Sequence, residues 1–377
     1  MRVCPVLVAL LLASGASAQA PTPATPPSSA EVRAAMGIPS TDEVRGQQDK
    51  VGFASTAAQM AAVWDKAGAL LPEERLQPPP KPGVAGAVCA HDDYLYAGRV
   101  YKAVLPLVTA RTVVLVGVFH KWRRFGAHDV LVFDAGRAWR TPDGEMAASA
   151  FRKDLLAAMP AGSTVVSGTF HDSEHSLEAL AYWLHHARAD REIVPILVST
   201  ASFERLGELS GQLGQALAAT MRQRGMQLGR DVAVVISADA VHYGADFAQT
   251  PFGEGGVSAF QQATARDRAL LTGPLAGPIT TAKLREAYTT WVDPADPGTY
   301  RVSWCGRFSI PFGMMLLADL AGRLGLPVPQ GVPVAYGTSV GGPELPLQET
   351  GLGTTAPSNL YHFVGYPGLA VVLQPAS

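Results

Sequence analysis

Only three cysteines occur in 377 residues, at positions 4, 89 and 305. So sparse a set excludes a disulfide-stapled scaffold. A basic excess is missing as well: 30 Lys and Arg stand against 32 Asp and Glu, a net charge of −2. That removes the electrostatic footprint of a nucleic-acid binder. Charged residues make up 16% of the chain and hydrophobic ones 47%, a globular composition with ample material for a core. After the first residues no apolar run reaches the roughly 18 residues of a spanning helix, so no membrane span is expected. No HExxH motif is present, which weakens a metal-assisted hydrolase reading.

The chain opens with MRVCPVLVALLLASGASAQ, in which Arg2 precedes an apolar run and the small residues Ala16-Ser17-Ala18. This is the pattern of a secretory signal peptide, with cleavage expected after Ala18 and a periplasmic or secreted product. Cys4 comes too early to be a lipidated cysteine. Residues 19–40 are rich in Pro, Ala, Ser and Thr and read as a disordered tether. Cleavage leaves Cys89 and Cys305, which in an oxidising compartment suit either a disulfide or a metal or redox site.

Apolar runs of strand length then alternate with helical patterns. Strands are expected at 84–90, 112–119, 129–135, 192–199, 231–238, 332–338 and 369–373. Helices are expected at 55–70, 98–108, 144–158, 174–187, 202–224, 257–271, 279–290 and 308–325. Continuous Val/Ile/Leu strands separated by helices predict an α/β fold, a three-layer αβα sandwich around a mostly parallel or mixed sheet. With no fixed-period repeat and no second linker, residues 41–377 are expected to form a single domain.

Ligand sites in such sheets form where strands end, at their carboxyl edge. His91 follows the strand 84–90, His120 follows 112–119, and Asp239 and His242 follow 231–238. Cys305 lies just before the helix 308–325. Imidazole and thiolate donors suit iron, copper or zinc better than magnesium or calcium. Taken singly, each of these residues is as simply a hydrogen-bonded residue at a strand end. Together they are candidates for a catalytic metal site, which needs a few donors from separate elements.

The blocks VCAHDDYLYAG, VVLVGVFHK, RTPDGEM, DSEHSLEALAYWL, IVPILVS, VVISADAVHYG, WCGRFSIPFGMML and VGYPGLAVV run in order over residues 84–373. They resemble the Memo family, whose bacterial and archaeal members are called AmmeMemoRadiSam system protein B. The resemblance implies the fold of class III extradiol dioxygenases, non-haem iron enzymes that open catechol rings. It implies His91, His120 and Cys305 as ligands of iron or copper, with no nucleotide cofactor. His242 would be a general base or a group just behind the ligands, and Glu174 and His175 would line the pocket; in an oxidoreductase reading, Asp239, three residues before His242, is expected to orient it. Asp92 and Tyr94 beside His91 are expected to shape its entrance.

The chain departs from the family pattern in several places. Asp92-Asp93 follows His91 where the family has small residues, Lys121 replaces the second histidine of a pair, and Phe308 replaces the histidine after CGR. The dioxygenases use a carboxylate where this chain has Cys305, which makes the donor set softer and sets ring-opening chemistry in question. Strand parity points Cys89 to the side of His91, so Cys89 and Cys305 could pair as a disulfide or redox couple, or stand as two isolated buried thiols. Outside these blocks, His171 and the His185-His186 pair read as surface residues. Glu174 and Glu178 read as a carboxylate pair or a solvated face. His128 and His362 have no partner that local pattern reveals.

Two functions remain open. One is an exported metal-dependent oxidoreductase, dioxygenase-like, with His242 carrying protons. The other is a non-catalytic module that binds a metal, a peptide or another small ligand.

Overall fold

The computed structural model describes residues 28–373; the expected signal segment and residues 19–27 of the expected tether lie outside them. Within the tether range, α1 (Ser29–Ala35) is a short helix with a capping box between Ser28 and Glu31. The strand β1 (Val44–Arg45) and the helix α2 (Ala57–Lys66) follow. Next come β2 (Gly86–Cys89), α3 (Tyr94–Val104), β3 (Thr112–Val118), α4 (Trp122–Phe125) and β4 (Leu131–Phe133). A hairpin of β5 (Ala138–Thr141) and β6 (Gly144–Ala148) leads to α5 (Phe151–Ala158), β7 (Thr164–Val166) and α6 (Gly168–Asp172). The chain continues through α7 (Glu178–Ala187), β8 (Glu192–Val198), α8 (Phe203–Arg224), β9 (Val232–Ser237) and β10 (His242–Gly244). It ends with α9 (Val257–Thr272), β11 (Gly277–Pro278), α10 (Thr281–Trp291), β12 (Val292–Asp293), β13 (Asp296–Tyr300), α11 (Ser309–Leu324), β14 (Gln330–Thr338) and β15 (His362–Val372).

The main sheet runs β1-β5-β6-β8-β3-β9-β2-β15-β14-β11, with β10 on β15 and with β4 pairing β8 and β7. Its centre, β8-β3-β9-β2, is parallel, and β15 and β14 extend it antiparallel. The sheet is therefore mixed, within the expected class. Strand alternation divides the core into two layers. Val114, Val116, Val194, Ile196, Val234 and Ile236 pack with residues of α5, α8, α10 and α11. Val113, Leu115, Ile193, Leu197, Ala233 and Val235 pack with α2, α3 and α7. Both faces are covered, which is why these strands read as unbroken apolar runs. Among the described residues no helix is long and apolar enough to cross a membrane.

Three local expectations are corrected. The helix expected over 144–158 begins only at Phe151. Gly144–Ala148 is instead a strand paired with Ala138–Thr141, after a turn in which the Thr141 hydroxyl donates to the Gly144 carbonyl at 3.0 Å. His171 is buried, its Nε2 against the Val132 carbonyl at 3.0 Å. His185 is buried too, with Nδ1 2.6 Å from the Thr141 hydroxyl, while His186 is only partly covered and lies 3.0 Å from Asp143. The histidines that local pattern left unpartnered also have carboxylate neighbours, His128 on Asp129 and His362 on Asp246.

The segment between α6 and α7, which carries Glu174 and His175, is held from the other end of the chain. Arg45 donates to the carbonyls of His171 at 3.1 Å and Glu174 at 2.7 Å, and its Nη1 lies 2.8 Å from Glu178. The same guanidinium sits 4.3 Å over the Trp139 ring. Both members of the Arg45–Glu178 pair are almost fully buried, so removing one leaves an uncompensated charge in the core. Arg45→Ala is expected to cost about 3–5 kcal/mol in urea denaturation. The double variant Arg45→Met/Glu178→Leu should lose less than Arg45→Ala alone, and equal losses would show that the charge pair is not what holds this segment.

Candidate metal centre

The register of two neighbouring parallel strands builds the site. Cys89 of β2 pairs with Ser237 of β9, so that His91 and Asp239, two residues further along each chain, meet beyond the strand ends. The His91 amide donates to Asp239 Oδ1 at 2.9 Å, and His91 Nε2 lies 3.2 Å from Asp239 Oδ2. On the other side of the ring, His91 Nδ1 is 2.7 Å from Ser237 Oγ. The Ser237 hydroxyl proton is committed to the Ser176 carbonyl, so Ser237 Oγ accepts and His91 Nδ1 carries the hydrogen. Nε2 is thereby left as the lone-pair nitrogen, facing Asp239 and, at 3.8 Å, Cys305 Sγ.

Cys305 is delivered by a 3-10 turn, Cys305–Arg307, just before α11. Its sulfur accepts from the Asp239 amide at 3.0 Å and lies 3.5 Å from the Asp239 carbonyl. Close approach requires the next residue to be glycine: a Cβ on Gly306 would stand 2.3 Å from Ala238 Cβ. A second glycine, Gly117 of β3, makes room for the 174–177 segment, because a Cβ there would stand 2.6 Å from Leu177 and 2.8 Å from Ser176 Oγ.

That segment positions His120 beyond β3. His120 donates its amide to Glu174 Oε2 at 2.6 Å, and its Nδ1 lies 2.8 Å from Glu174 Oε1. His120 stacks on His175 with ring centres 4.8 Å apart, and each ring lies 5.5 Å from His91. Two ligand-capable groups result, each with donor atoms within 4.8 Å of one another: His91 with His120 and His175, and His91 with Asp239 and Cys305. The expected set of His91, His120 and Cys305 is thus divided between two groups that share His91.

Electrostatics follow from burial. Loss of water pushes the Asp239 carboxyl and the Cys305 thiol well up, with Asp92 adding to the first and Asp239 to the second. Burial and the neighbouring His120 and His175 push His91 well down, so it is neutral. Burial alone would raise the Glu174 carboxyl, but His120 and His175 with the Ser176 amide hold it well below the usual carboxylate range. A neutral imidazole with its Nδ1–H anchored is the form in which histidine binds a metal.

The rings open onto a cavity of about 380 Å³, lined by His91, His120, His175, Asp239 and His242. Its outer wall includes Asp92, Asp93, Phe247 and His362, with Asp49 and Phe53 from before β2 and Thr355 from the loop ahead of β15. His242 turns Nδ1 toward the carbonyls of Ala240 at 3.1 Å and Ser303 at 3.2 Å, leaving Nε2 as the acceptor nitrogen. Asp239 does not orient it as expected, because its carboxylate is engaged by His91. Tyr94 is no entrance residue either: it is fully buried and donates to the Ala179 carbonyl at 2.8 Å. Cys89 lies in the core layer under α3 and α7, outside both donor groups, and both described cysteines are free thiols. Glu174 acts behind His120 rather than on the cavity wall. His362, stacked 4.7 Å from Phe247, had no local sequence signal, since it comes from β15.

Fold and centre together define an α/β sandwich whose adjacent strands converge on a donor set suited to a transition metal. The Memo-like protein family matches residues 69–339, more than half of the chain, and the chain belongs to the Memo family. Similar relatives include a MEMO1 family protein of Thermococcus onnurineus, 27% identical over 177 residues, or 45% of this chain and 56% of that protein. Another, of Methanosarcina barkeri, is 29% identical over 164 residues, 42% of this chain and 55% of that protein. The chain spans about half the length of the curated relatives it matches.

Because Ser237 fixes the His91 tautomer, Ser237→Ala leaves Nδ1–H without its acceptor. Nitrogen NMR of the metal-free protein should show His91 as the Nδ1–H form in the parent and a mixture with Nε2–H in the variant. An unchanged tautomer would mean that Ser237 does not set it.

Proposed function

We propose that this chain binds one redox-active transition metal, iron or copper, at the floor of the cavity and acts there as a metal-dependent oxidoreductase. The observation that carries this reading is His91 Nε2, a lone-pair nitrogen with imidazoles on one side and a carboxylate and thiol on the other. His91 would be the shared ligand, with His120 and Cys305 drawn in from the two sides. The donors fit such an ion: neutral imidazoles and a sulfur are soft to borderline, and His120 has a carboxylate behind it that fixes its ring. Asp239 adds a carboxylate beside the thiol, so replacement of the dioxygenase carboxylate by Cys305 does not leave the site without one. When bound, the metal would supply oxidation–reduction and the polarisation of a diol-like oxygen. His242 Nε2 would take up a proton on the cavity wall, and the outer aromatic and acidic residues would bind and orient the substrate.

The pattern at residues 1–18 supports export, and a mature chain beginning at Gln19 in the periplasm or medium would bear it out. The alternative, a binding module without turnover, is favoured by one feature: burial keeps Asp239 and Cys305 protonated in the metal-free chain, a resting state that suits storage as well as catalysis.

Elemental analysis of protein from its native compartment should show about one metal per chain, and His91→Ala should abolish it. Cys305→Ser should remove any thiolate-to-metal absorption. Oxygen uptake with a panel of catechols should follow metal content, whereas loaded protein inert toward every diphenol would favour the binding module. No metal in parent or variant would overturn the oxidoreductase reading and the metal-binding form of the module, leaving only a peptide- or small-ligand-binding module.

Uptake should also depend on pH, since the thiol and carboxyl must lose protons to coordinate. Copper affinity should rise, with proton release, as the pH is raised, because burial pushes both the Asp239 carboxyl and the Cys305 thiol up. A pH-independent affinity, measured by competition with a chelator, would exclude Cys305 and Asp239 as ligands.

A further inference from the structure

Among the buried ionisable groups of the described residues that neither the cavity nor its ligands use, Asp267 is the one tied directly to site-bearing segments. Asp267 lies in the middle of α9, fully buried, with no salt bridge among the described residues. A carboxylate in such a place is costly unless its oxygens are satisfied. Three donors from three separate segments satisfy it. Trp304 Nε1 donates to Oδ1 at 2.7 Å, while Tyr336 OH at 2.7 Å and the Val241 amide at 3.1 Å donate to Oδ2. Burial still lifts its carboxyl to about 6 against the pull of these donors.

Two of the three donors are sequence neighbours of the site. Trp304 immediately precedes Cys305, and Val241 lies between Asp239 and His242. The two segments also touch directly: the His242 amide donates to the Ser303 carbonyl at 3.3 Å and to the Ser303 hydroxyl at 3.2 Å. From behind, Trp304 is packed on Trp291, ring centres 5.1 Å apart. The thiol therefore reaches Asp239 and His91 from a backbone whose position is set one residue upstream.

We infer that Asp267 is a positioning residue which clamps the 303–305 segment to the 239–242 segment and so fixes Cys305 against Asp239 and His91. Its purpose rests on the metal-site reading, but the clamp itself is a property of the metal-free chain. Tyr336, the third donor, ties Asp267 to β14 and leads away from the site. The three ties therefore make different predictions: loss of the Trp304 tie releases Cys305, and loss of the Tyr336 tie does not.

The test is the alkylation rate of each cysteine by iodoacetamide in the metal-free, full-length protein, resolved by peptide mass spectrometry. Cys89, buried in the core and outside the clamp, is the internal control. Asp267→Asn keeps the size of the side chain but places an amide NH2 against at least one of the donors. Cys305 should then react at least about tenfold faster while Cys89 keeps its parent rate. Trp304→Phe removes the indole N–H that ties the cysteine segment while keeping an aromatic ring against Trp291, and should do the same, which keeps the test available if Asp267→Asn fails to fold. Tyr336→Phe should leave Cys305 within about twofold of the parent.

Equal acceleration of both cysteines would assign Asp267 to general stability and overturn the clamp, as would a parent rate at Cys305 in Trp304→Phe. Acceleration by Tyr336→Phe as large as by Trp304→Phe would also overturn it. Since no metal enters the measurement, a chain that takes up no iron or copper would sink the metal reading without touching this result.

Discussion

Hydrogen bonds across the β2–β9 seam fix His91, and the rest of the centre is arranged around that ring. The backbone amide of His91 is held by one oxygen of Asp239 and its Nδ1–H by Ser237, so neither the ring position nor the tautomer is free. Both partners come from the same neighbouring strand and its continuation, in a register set by the parallel ladder. A buried imidazole so held has one nitrogen left to offer. The opposed groups on its two sides, imidazoles and a carboxylate–thiol pair, give that nitrogen its chemical meaning.

Burial has two consequences that pull in different directions. It keeps His91 neutral, the form that binds metal, and it keeps the Asp239 carboxyl and Cys305 thiol protonated, the forms that do not. An arriving ion would have to displace those protons from two of its donors, whereas the exposed side of His91 offers His120 and His175 facing the cavity. Glu174 makes that second side the better prepared one electrostatically: its carboxylate is held ionised behind His120. The division of donors between two groups is thus also a division between a dry side and a wet side.

The sequence was most legible where burial acts on both faces of a strand. The runs at 112–119, 192–199 and 231–238 are apolar throughout their interiors (113–119, 193–198 and 232–236), so their pattern is unambiguous, and their ends place His120, Asp239 and His242 at one edge. Where a segment borrows its structure from a distant partner, the local pattern misleads. Gly144–Ala148 has the composition of a helix start, yet a turn at Pro142-Asp143 folds it onto Ala138–Thr141 as a strand. His171 and His185 look like surface groups because their partners, Val132 and Thr141, lie tens of residues away. The role expected for Asp239 failed for a related reason: its nearness to His242 in sequence suggested a pair, but the residue opposite it is decided by the β2–β9 register.

The same distinction explains why Asp267 escaped notice. In ARDRALL it stands between two arginines and reads as one charge on a solvated helix face, while its three donors come from residues 26, 37 and 69 positions away. The ligands of a strand-end site can be found from sequence because topology brings strand ends together whatever their side chains. The groups that hold those ligands to a few tenths of an ångström come from helices and loops packed behind, and there the chain order carries no information about distance. A buried carboxylate with two of its three donors on site-bearing segments is how the structure reveals such a group.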